Sequence, residues 1–500
     1  MKIEEEYPAD PALSERMHRM FYPGTVALIG ASHDPRKWGH RVLHSLLSAG
    51  FEGRCIPVNP KGGTILGLPV ARSIAMVEGS VDLALVAVPA PVVQAAIEAC
   101  VEAEVGAIFV ITAGFSEGDS SGIGRRAEAR MRQTVHRAQI PLGGPNGQGL
   151  TCTQARLCAQ MYPIMPPRGG ISLVTQSGNV GVSMSHMAVY YNIGLSKTIS
   201  AGNEAALTTA QYLDFLAEDP DTSVVALYLE GADDGRHLLA ALRRTSRRKP
   251  VVMLKSGRSD AGARAAVSHT GSLAGSDRVY DAAFRQAGVV RVSNLEELFD
   301  TAAGFATLPL PRGDRIGIIT LGGGWGVLAS DAAAAEGLVL PVLPTHVRAA
   351  LDEMLPARWS KANPIDFVAA EESDTLIRTL DLLVDSGAFD SIVLLGPGHS
   401  SLAAHCVADS RLGKDPMIQA GVALLQQEDE EKMRTILERC DRSDRPIVLA
   451  SDAALSGQVI HNPAMAMARA AGTYVFTSPE RAMRVIRHLR VYAAWRERND

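Results

Sequence analysis

The sequence has no surplus of positive charge. Its 49 lysines and arginines stand against 54 aspartates and glutamates, a formal net charge of −5. That excludes a nucleic-acid partner, because polyphosphate binding rests on a basic surface. No apolar run reaches the roughly 20 residues of a membrane span. The N-terminus, MKIEEEYPADPALSERM, is acidic and lacks the apolar core of a secretory signal. The six cysteines (Cys55, Cys100, Cys152, Cys158, Cys406, Cys440) are scattered and form no CxxC pair. Free thiols in a reducing cytoplasm are the expectation. The histidines show no metal-ligand spacing and no carboxylate pair stands out, so no metal site is expected. A strict short-period repeat is absent too.

What is present is length and alternation. Five hundred residues exceed one hydrophobic core and suggest about three domains. A composition 46% hydrophobic and 21% charged is that of a soluble globular protein. Apolar runs of roughly four to eight residues alternate with longer amphipathic stretches, the pattern of βα units and parallel sheets. The expected fold class is therefore α/β.

Three blocks follow. The first, 1–148, opens on the strand TVALIGAS (Thr25–Ser32). Further strands are expected at Asp82–Val88 and Ala107–Thr112, with helices at Arg41–Ala49 and Pro91–Ala103. The second, 149–308, has strands at Leu195–Ser200, Ser223–Leu229 and Pro250–Leu254. Its expected helices are Val180–Tyr191, Leu207–Ala217, Gly235–Ser246, Asp277–Ala287 and Asn294–Ala306. The linker LPLPRGD (Leu308–Asp314) leads to the third block, 309–500. It has strands at Ser391–Leu395 and Pro446–Ala450 and a last helix over Pro479–Trp495. Each block starts with a strand that runs through glycine into a helix.

Such turns aim backbone N–H groups at a helix N-terminus, where an anion is favoured. Four have this character: IGASHDPRKWG (Ile29–Gly39), TQSGNVG (Thr175–Gly181), SHTGSLAGSD (Ser268–Asp277) and TLGGGWG (Thr320–Gly326). Each also has a plain structural explanation. The first is equally an ordinary βα turn, while Ser177 and Ser276 serve as simple helix caps. The first turn carries Arg36 and Lys37. Asn59 and Lys61 follow the next strand, at the sheet edge where ligands bind. Gly30, Ser32, Arg36, Lys37, Asn59, Lys61, Val88 and Pro89 are the candidates for a nucleotide-like cofactor.

In the second block, Gln176, Ser177 and Gly178 form one candidate phosphate turn, and Thr270 and Gly271 belong to the other. His269 stands among small residues that leave room for a phosphoryl group. A phosphorylated imidazole needs its second nitrogen oriented, and Glu230, directly after an apolar strand, is the candidate carboxylate. Alternatively it is a surface residue at a strand end.

These residues resemble a known family. Segments FYPGTVALIGAS, PVNPK, LVTQSGNVG, ISAGNEA, FLAEDPDTSVVALYLEGADDGR and the long run from Lys249 to Val292 are similar to the CoA-ligase subunit of ADP-forming acyl-CoA synthetases. These are relatives of the succinyl-CoA synthetase α subunit. The resemblance implies a Rossmann-like CoA-binding domain and two flavodoxin-like CoA-ligase domains. It implies coenzyme A as ligand, a phosphohistidine at His269 supported by Glu230, and an enzyme-bound acyl phosphate. No ATP-grasp segment is found, so a separate ATP-grasp β subunit is implied, in a heterotetramer, with ATP or ADP and Mg2+ bound there. Where the family has GPNCLG and TNAGGPG, this chain has GPNGQG (Gly144–Gly149) and TLGGGWG. Two alternatives use the same scaffold: an acyl- or carbamoyl-transfer component, and a CoA-responsive regulatory protein. The Glu230 and His269 pair speaks against the second.

Overall fold

The apolar runs pair into three large sheets and one two-stranded sheet in a computed structural model that describes residues 2–117, 121–262, 264, 276–367, 373–456 and 460–499. Met1–Val189 with Gly194–Phe299 forms one compact unit, and Tyr190–Ile193 with Asp300–Asp500 a second.

In the first unit, the leading strands are β1 (Thr25–Ile29), β2 (Arg54–Val58), the short pair β3 (Thr64–Ile65) and β4 (Leu68–Pro69), β5 (Leu83–Val86), β6 (Ala107–Val110) and β7 (Leu142–Gly143). The first sheet has the order β2-β1-β5-β6-β7 and is parallel. Every residue of β5 and β6 is buried, as in strands covered on both faces. The chain leaves β1 toward β2 and returns on the other side to β5. That reversal opens a crevice at the carboxyl ends of β1 and β5. β1 stops at Ile29 because Gly30 turns with φ of +96°, a conformation that favours glycine. The following helix starts at Trp38, earlier than expected. A Cβ on Gly39 would lie 2.0 Å from Gly30 O, so a glycine lets this helix close on the turn.

The second sheet adds β8 (Gly149–Cys152), β9 (Leu157–Gln160), β10 (Arg168–Thr175), β11 (Leu195–Ser200), β12 (Val224–Leu229), β13 (Val251–Lys255) and β14 (Val290–Val292). Its order is β14-β13-β12-β10-β11-β8-β9. The five strands from β14 to β11 run parallel, while β8 and β9 form an antiparallel hairpin on their edge. Helix Thr209–Glu218 begins two residues after the expected start, because Thr208 and Gln211 form a capping box.

β11 carries a lysine in its middle, and Lys197 is 0% exposed. Its ammonium donates to Asp219 Oδ2 at 2.7 Å, Tyr22 Oη at 2.9 Å and Ser196 Oγ at 3.2 Å. All three of its protons are thus satisfied, the condition for burying a charge.

The second unit holds β15 (Ile316–Thr320), β16 (Ile365–Asp366), β17 (Ser391–Leu395), β18 (Ile447–Ala450) and β19 (Val475–Phe476) in a parallel sheet of order β16-β15-β17-β18-β19. A 27-residue helix, Pro416–Arg442, packs beside helix His399–Ala408.

The βα crossing after β15 repeats the one after β10. Residues 175–185 read TQSGNVGVSMS and residues 320–330 read TLGGGWGVLAS, both T-x-x-G-x-x-G-V-x-x-S. Thr175 Oγ1 donates to Ser177 O at 2.8 Å and accepts from Ser177 N at 3.0 Å. Thr320 Oγ1 treats Gly322 alike, at 2.7 and 3.1 Å. A Cβ on Gly181 would sit 3.2 Å from Thr175 Cγ2, and one on Gly326 3.1 Å from Thr320 Cγ2. Ser185 and Ser330 then bond back to the carbonyls of Gly181 and Gly326, at 2.9 and 2.8 Å.

Candidate active site

Parallel strands expose their carboxyl ends, and in the second sheet β10 and β12 are neighbours. The residues just past them, Gln176 and Glu230, therefore meet. Gln176 Oε1 accepts from the backbone N–H of Glu230 at 2.6 Å and of Gly231 at 3.2 Å. Its Nε2 donates to Gly231 O and to Glu204 Oε1, each at 2.9 Å. Its own backbone N–H bonds Tyr228 O at 3.2 Å. The polar groups of Gln176 are thus spent on holding the Glu230 turn, so anion donors in this turn fall to Ser177 and Gly178.

Lys255 at the end of β13 braces the same turn from below. Its ammonium donates to Glu230 O and Ser256 O, each at 2.7 Å, and lies 4.8 Å from the centre of the Tyr280 ring. Burial pulls its pKa down, opposed by Asp277 and Glu230. Burial likewise raises the Tyr228 phenol, and the neighbouring Glu230 carboxylate adds to the rise.

Glu230 and Gln176 line a cavity of about 1150 Å³ together with Glu204, Asn203, Asp233 and Arg132. Burial pushes the Glu204 carboxyl up, against hydrogen bonds from Thr209 and Gln176 that favour its ionised form. His269, Thr270 and Gly271 lie outside the described residues. Ser276 stands at the N-cap of helix Asp277–Ala287 and makes no side-chain cap bond there.

At the first sheet, four strand ends are tied together. Asn59 Nδ2 donates to Ala31 O at 2.8 Å, Gly30 N to Val58 O at 3.0 Å, and Thr112 Oγ1 to Val88 O at 2.7 Å. This gathers Gly30, Ser32, Asn59, Val88 and Pro89 around the β1/β5 crevice. Asn59 is a brace, its Oδ1 taking Lys61 N at 3.0 Å. Arg36 is held by Asp34 through two 3.0 Å bonds, and the guanidinium holds that carboxyl below its usual range. Lys37 and Lys61 are exposed at the rim. Two cations beside a glycine turn suit a polyanionic, nucleotide-like ligand.

Two residues near the site escaped the sequence. Glu204 sits in ISAGNEA, a segment with no chemical signature of its own. Gln148 lies over the glycine turn, where a Cβ on Gly178 would come 2.2 Å from its Cγ. The unusual GPNGQG was its only signal.

Known proteins give the site a context. Family models match a CoA binding domain over residues 24–151, a succinyl-CoA ligase like flavodoxin domain over 168–305 and a ligase-CoA domain over 316–412. The α subunit of acetate–CoA ligase [ADP-forming] I of Pyrococcus furiosus is 32% identical over 495 residues, 97% of this chain and 99% of that subunit. The chain belongs to the α-subunit family of ADP-forming acyl-CoA synthetases. Within this family, the α subunit of the second P. furiosus acetate–CoA ligase is 36% identical over 375 residues, 75% of this chain and 81% of that one. The chain is also 36% identical to acetate–CoA ligase [ADP-forming] I of Archaeoglobus fulgidus over 400 residues, but spans only 57% of that longer protein. Among solved structures, the acetyl-coenzyme A synthetase 1 of Ca. Korarchaeum cryptofilum, in complex with phosphate and ADP, superposes with a TM-score of 0.82. It is 30% identical and covers 96% of this chain and 97% of its own. The α/β architecture with CoA-binding and flavodoxin-like sheets is the family's. Among the described residues, no helix is long and apolar enough to cross a membrane.

Proposed function

We propose that this chain is the CoA-ligase subunit of an ADP-forming acid–CoA ligase, interconverting acyl-CoA, phosphate and ADP with acid, CoA and ATP. One observation carries the proposal. Glu230 is fixed at a strand end beside a glycine turn, in a chain that aligns over 97% of its length with an ADP-forming acetate–CoA ligase α subunit.

The chemistry divides into three transfers. A phosphate oxygen attacks the thioester carbonyl, the C–S bond breaks, and the released thiolate takes up a proton to give CoA and an acyl phosphate. A ring nitrogen of His269 then attacks phosphorus and expels the carboxylate of the acid. Finally the phosphohistidine gives its phosphoryl group to ADP. Glu230 accepts the N–H of the other ring nitrogen and so orients the imidazole. Ser177, Gly178, Thr270 and Gly271 supply N–H and hydroxyl donors to the phosphoryl oxygens, while Gln176 fixes Glu230. Gly30, Ser32, Lys37, Lys61, Val88 and Pro89 hold CoA, with Arg36 and Asn59 shaping that rim.

The work divides along the chain at 1–148 for CoA, 149–308 for the phosphohistidine and 309–500 for a second ligase domain. Nucleotide and Mg2+ belong to an ATP-grasp β subunit, in a cytoplasmic heterotetramer. The test is phosphate transfer. The chain is incubated with labelled ATP and magnesium, with and without the candidate ATP-grasp subunit. Acid-labile, base-stable label is expected, absent in His269→Ala. Glu230→Gln is expected to lower labelling far more than CoA affinity. No label with any partner refutes the proposal.

A further inference from the structure

We infer that Glu204 is a positioning residue for Glu230, acting through the side-chain amide of Gln176. The inference rests on the role proposed above for Glu230.

The starting observation is an odd backbone. Glu204 has φ of +54°, a left-handed conformation that disfavours any residue with a Cβ. The turn that imposes it is clamped on the segment beside it. Asn203 N and Ala205 N donate to Pro145 O and Gly144 O at 2.9 and 3.0 Å. The Asn203 side chain is held as well, from Ser116 and Glu117 among others. Its Nδ2 donates to Glu128 Oε1 at 2.7 Å, and its Oδ1 accepts from Asn146 Nδ2 at 3.1 Å. The turn is therefore built to point residue 204 in one direction.

That direction leads to Gln176. Three donors converge on the Glu204 carboxylate. Oε1 accepts from Gln176 Nε2 at 2.9 Å and from Thr209 Oγ1, and Oε2 accepts from Thr209 N at 2.9 Å. Helix capping explains only one of these bonds: Oε2 takes the N–H of Thr209, which the capping box of Thr208 and Gln211 leaves open, whereas the bond from Oε1 to Gln176 serves no helix. What the carboxylate adds is a second acceptor-only partner for the donor end of Gln176, beside Gly231 O. A glutamine amide has a donor end and an acceptor end, and nothing in its shape selects between them. Gln176 must offer its acceptor end to two N–H groups, those of Glu230 and Gly231. A carboxylate at its other end accepts only, so it forces the donor end toward itself. A carboxamide at 204 removes that charged partner and leaves Gly231 O as the one acceptor-only group holding the donor end. The Gln176 side chain is then held less firmly against the N–H groups of Glu230 and Gly231. The strand end carrying Glu230 would be clamped more loosely.

The experiment uses the full chain with labelled acetyl phosphate as phosphoryl donor. Initial rates of acid-labile labelling are compared for the native protein, Glu204→Gln, Glu204→Asp and Glu230→Gln. CoA affinity by calorimetry and the thermal midpoint are read on the same preparations. Glu204→Gln should slow labelling about tenfold to a hundredfold, the cost of a displaced catalytic group, with CoA affinity unchanged. Glu204→Asp keeps the charge but is one methylene short, and should fall between native and Glu204→Gln. It carries the test if the glutamine variant does not fold. Native labelling in both Glu204 variants, with labelling lost in Glu230→Gln, overturns the inference and leaves the role of Glu230 standing. Native labelling in Glu230→Gln overturns that role and this inference with it. A parallel fall in labelling and CoA affinity would mean that the whole turn had collapsed, and would also overturn it.

Discussion

Replacing Lys197 by methionine should unfold the first unit far more easily. The lysine is 0% exposed, and its partner Asp219 is 5% exposed. The ammonium lies 2.7 Å from Asp219 Oδ2, with Tyr22 Oη as a further acceptor and the Tyr22 ring centre 5.0 Å away. Methionine fills nearly the same volume, so packing is conserved and charge is what changes. Asp219, at the end of helix Thr209–Glu218, would keep the Thr222 hydroxyl and lose its buried counter-charge. Removing one partner of a buried pair costs about 3–5 kcal/mol. For a unit of this size that is a fall in Tm of roughly ten degrees. Scanning calorimetry of the full chain measures it. The double variant Lys197→Met/Asp219→Leu should recover most of the loss, since it leaves no orphan charge. A loss below about 1 kcal/mol in the single variant, or a double variant as unstable as the sum of its singles, refutes the reasoning.

Two further outcomes follow from single charged or titratable groups. Lys37→Met and Lys61→Met should each weaken CoA binding about threefold to tenfold at low salt, with the loss shrinking as salt rises. Arg36→Met should weaken it less, because Asp34 already engages that guanidinium; titration calorimetry that ranks Arg36 above Lys37 contradicts this. His488, packed against Thr301 with Nδ1 2.8 Å from its hydroxyl, has its pKa pushed down from 6.5 to about 4, chiefly by burial. The unfolded chain then binds a proton that the folded chain refuses between these values. Stability therefore rises with pH across that window, by about 3 kcal/mol for this group. Urea unfolding at pH 4.5 and 7 should show a smaller difference in His488→Gln than in the native chain, and an equal difference discards the assignment.

The parts legible in the sequence were those set by local pattern. The strand Leu195–Ser200 and the helix Asp277–Ala287 have the ends expected for them. So did the placing of Gln176 and Glu230 at one sheet edge, since both follow apolar runs of parallel strands. Their roles were less legible. Gln176 stood in a glycine turn and looked like a phosphate contact, whereas its amide is consumed by the neighbouring strand end. The hairpin β8–β9 escaped because TCTQARLCAQ shows no alternation: all eight strand residues are buried. Lys197 and Glu204 were invisible for a common reason. Each is meaningful only through partners distant in the chain, Tyr22 for one and Gln176 for the other.

The repeated crossing after β10 and β15 has a practical consequence. Eleven residues define its frame, and the threonine, the two glycines, the valine and the serine of T-x-x-G-x-x-G-V-x-x-S are common to both copies. The positions between them differ freely, with Gln176 against Leu321, Asn179 against Gly324 and Val180 against Trp325. The molecule thus carries its own control experiment. Residues moved from one copy to the other arrive on a backbone already shaped to receive them, so what changes is chemistry and not fold. An engineer thus has two sockets of one gauge in this chain, one beside the proposed phosphoryl chemistry and one after β15.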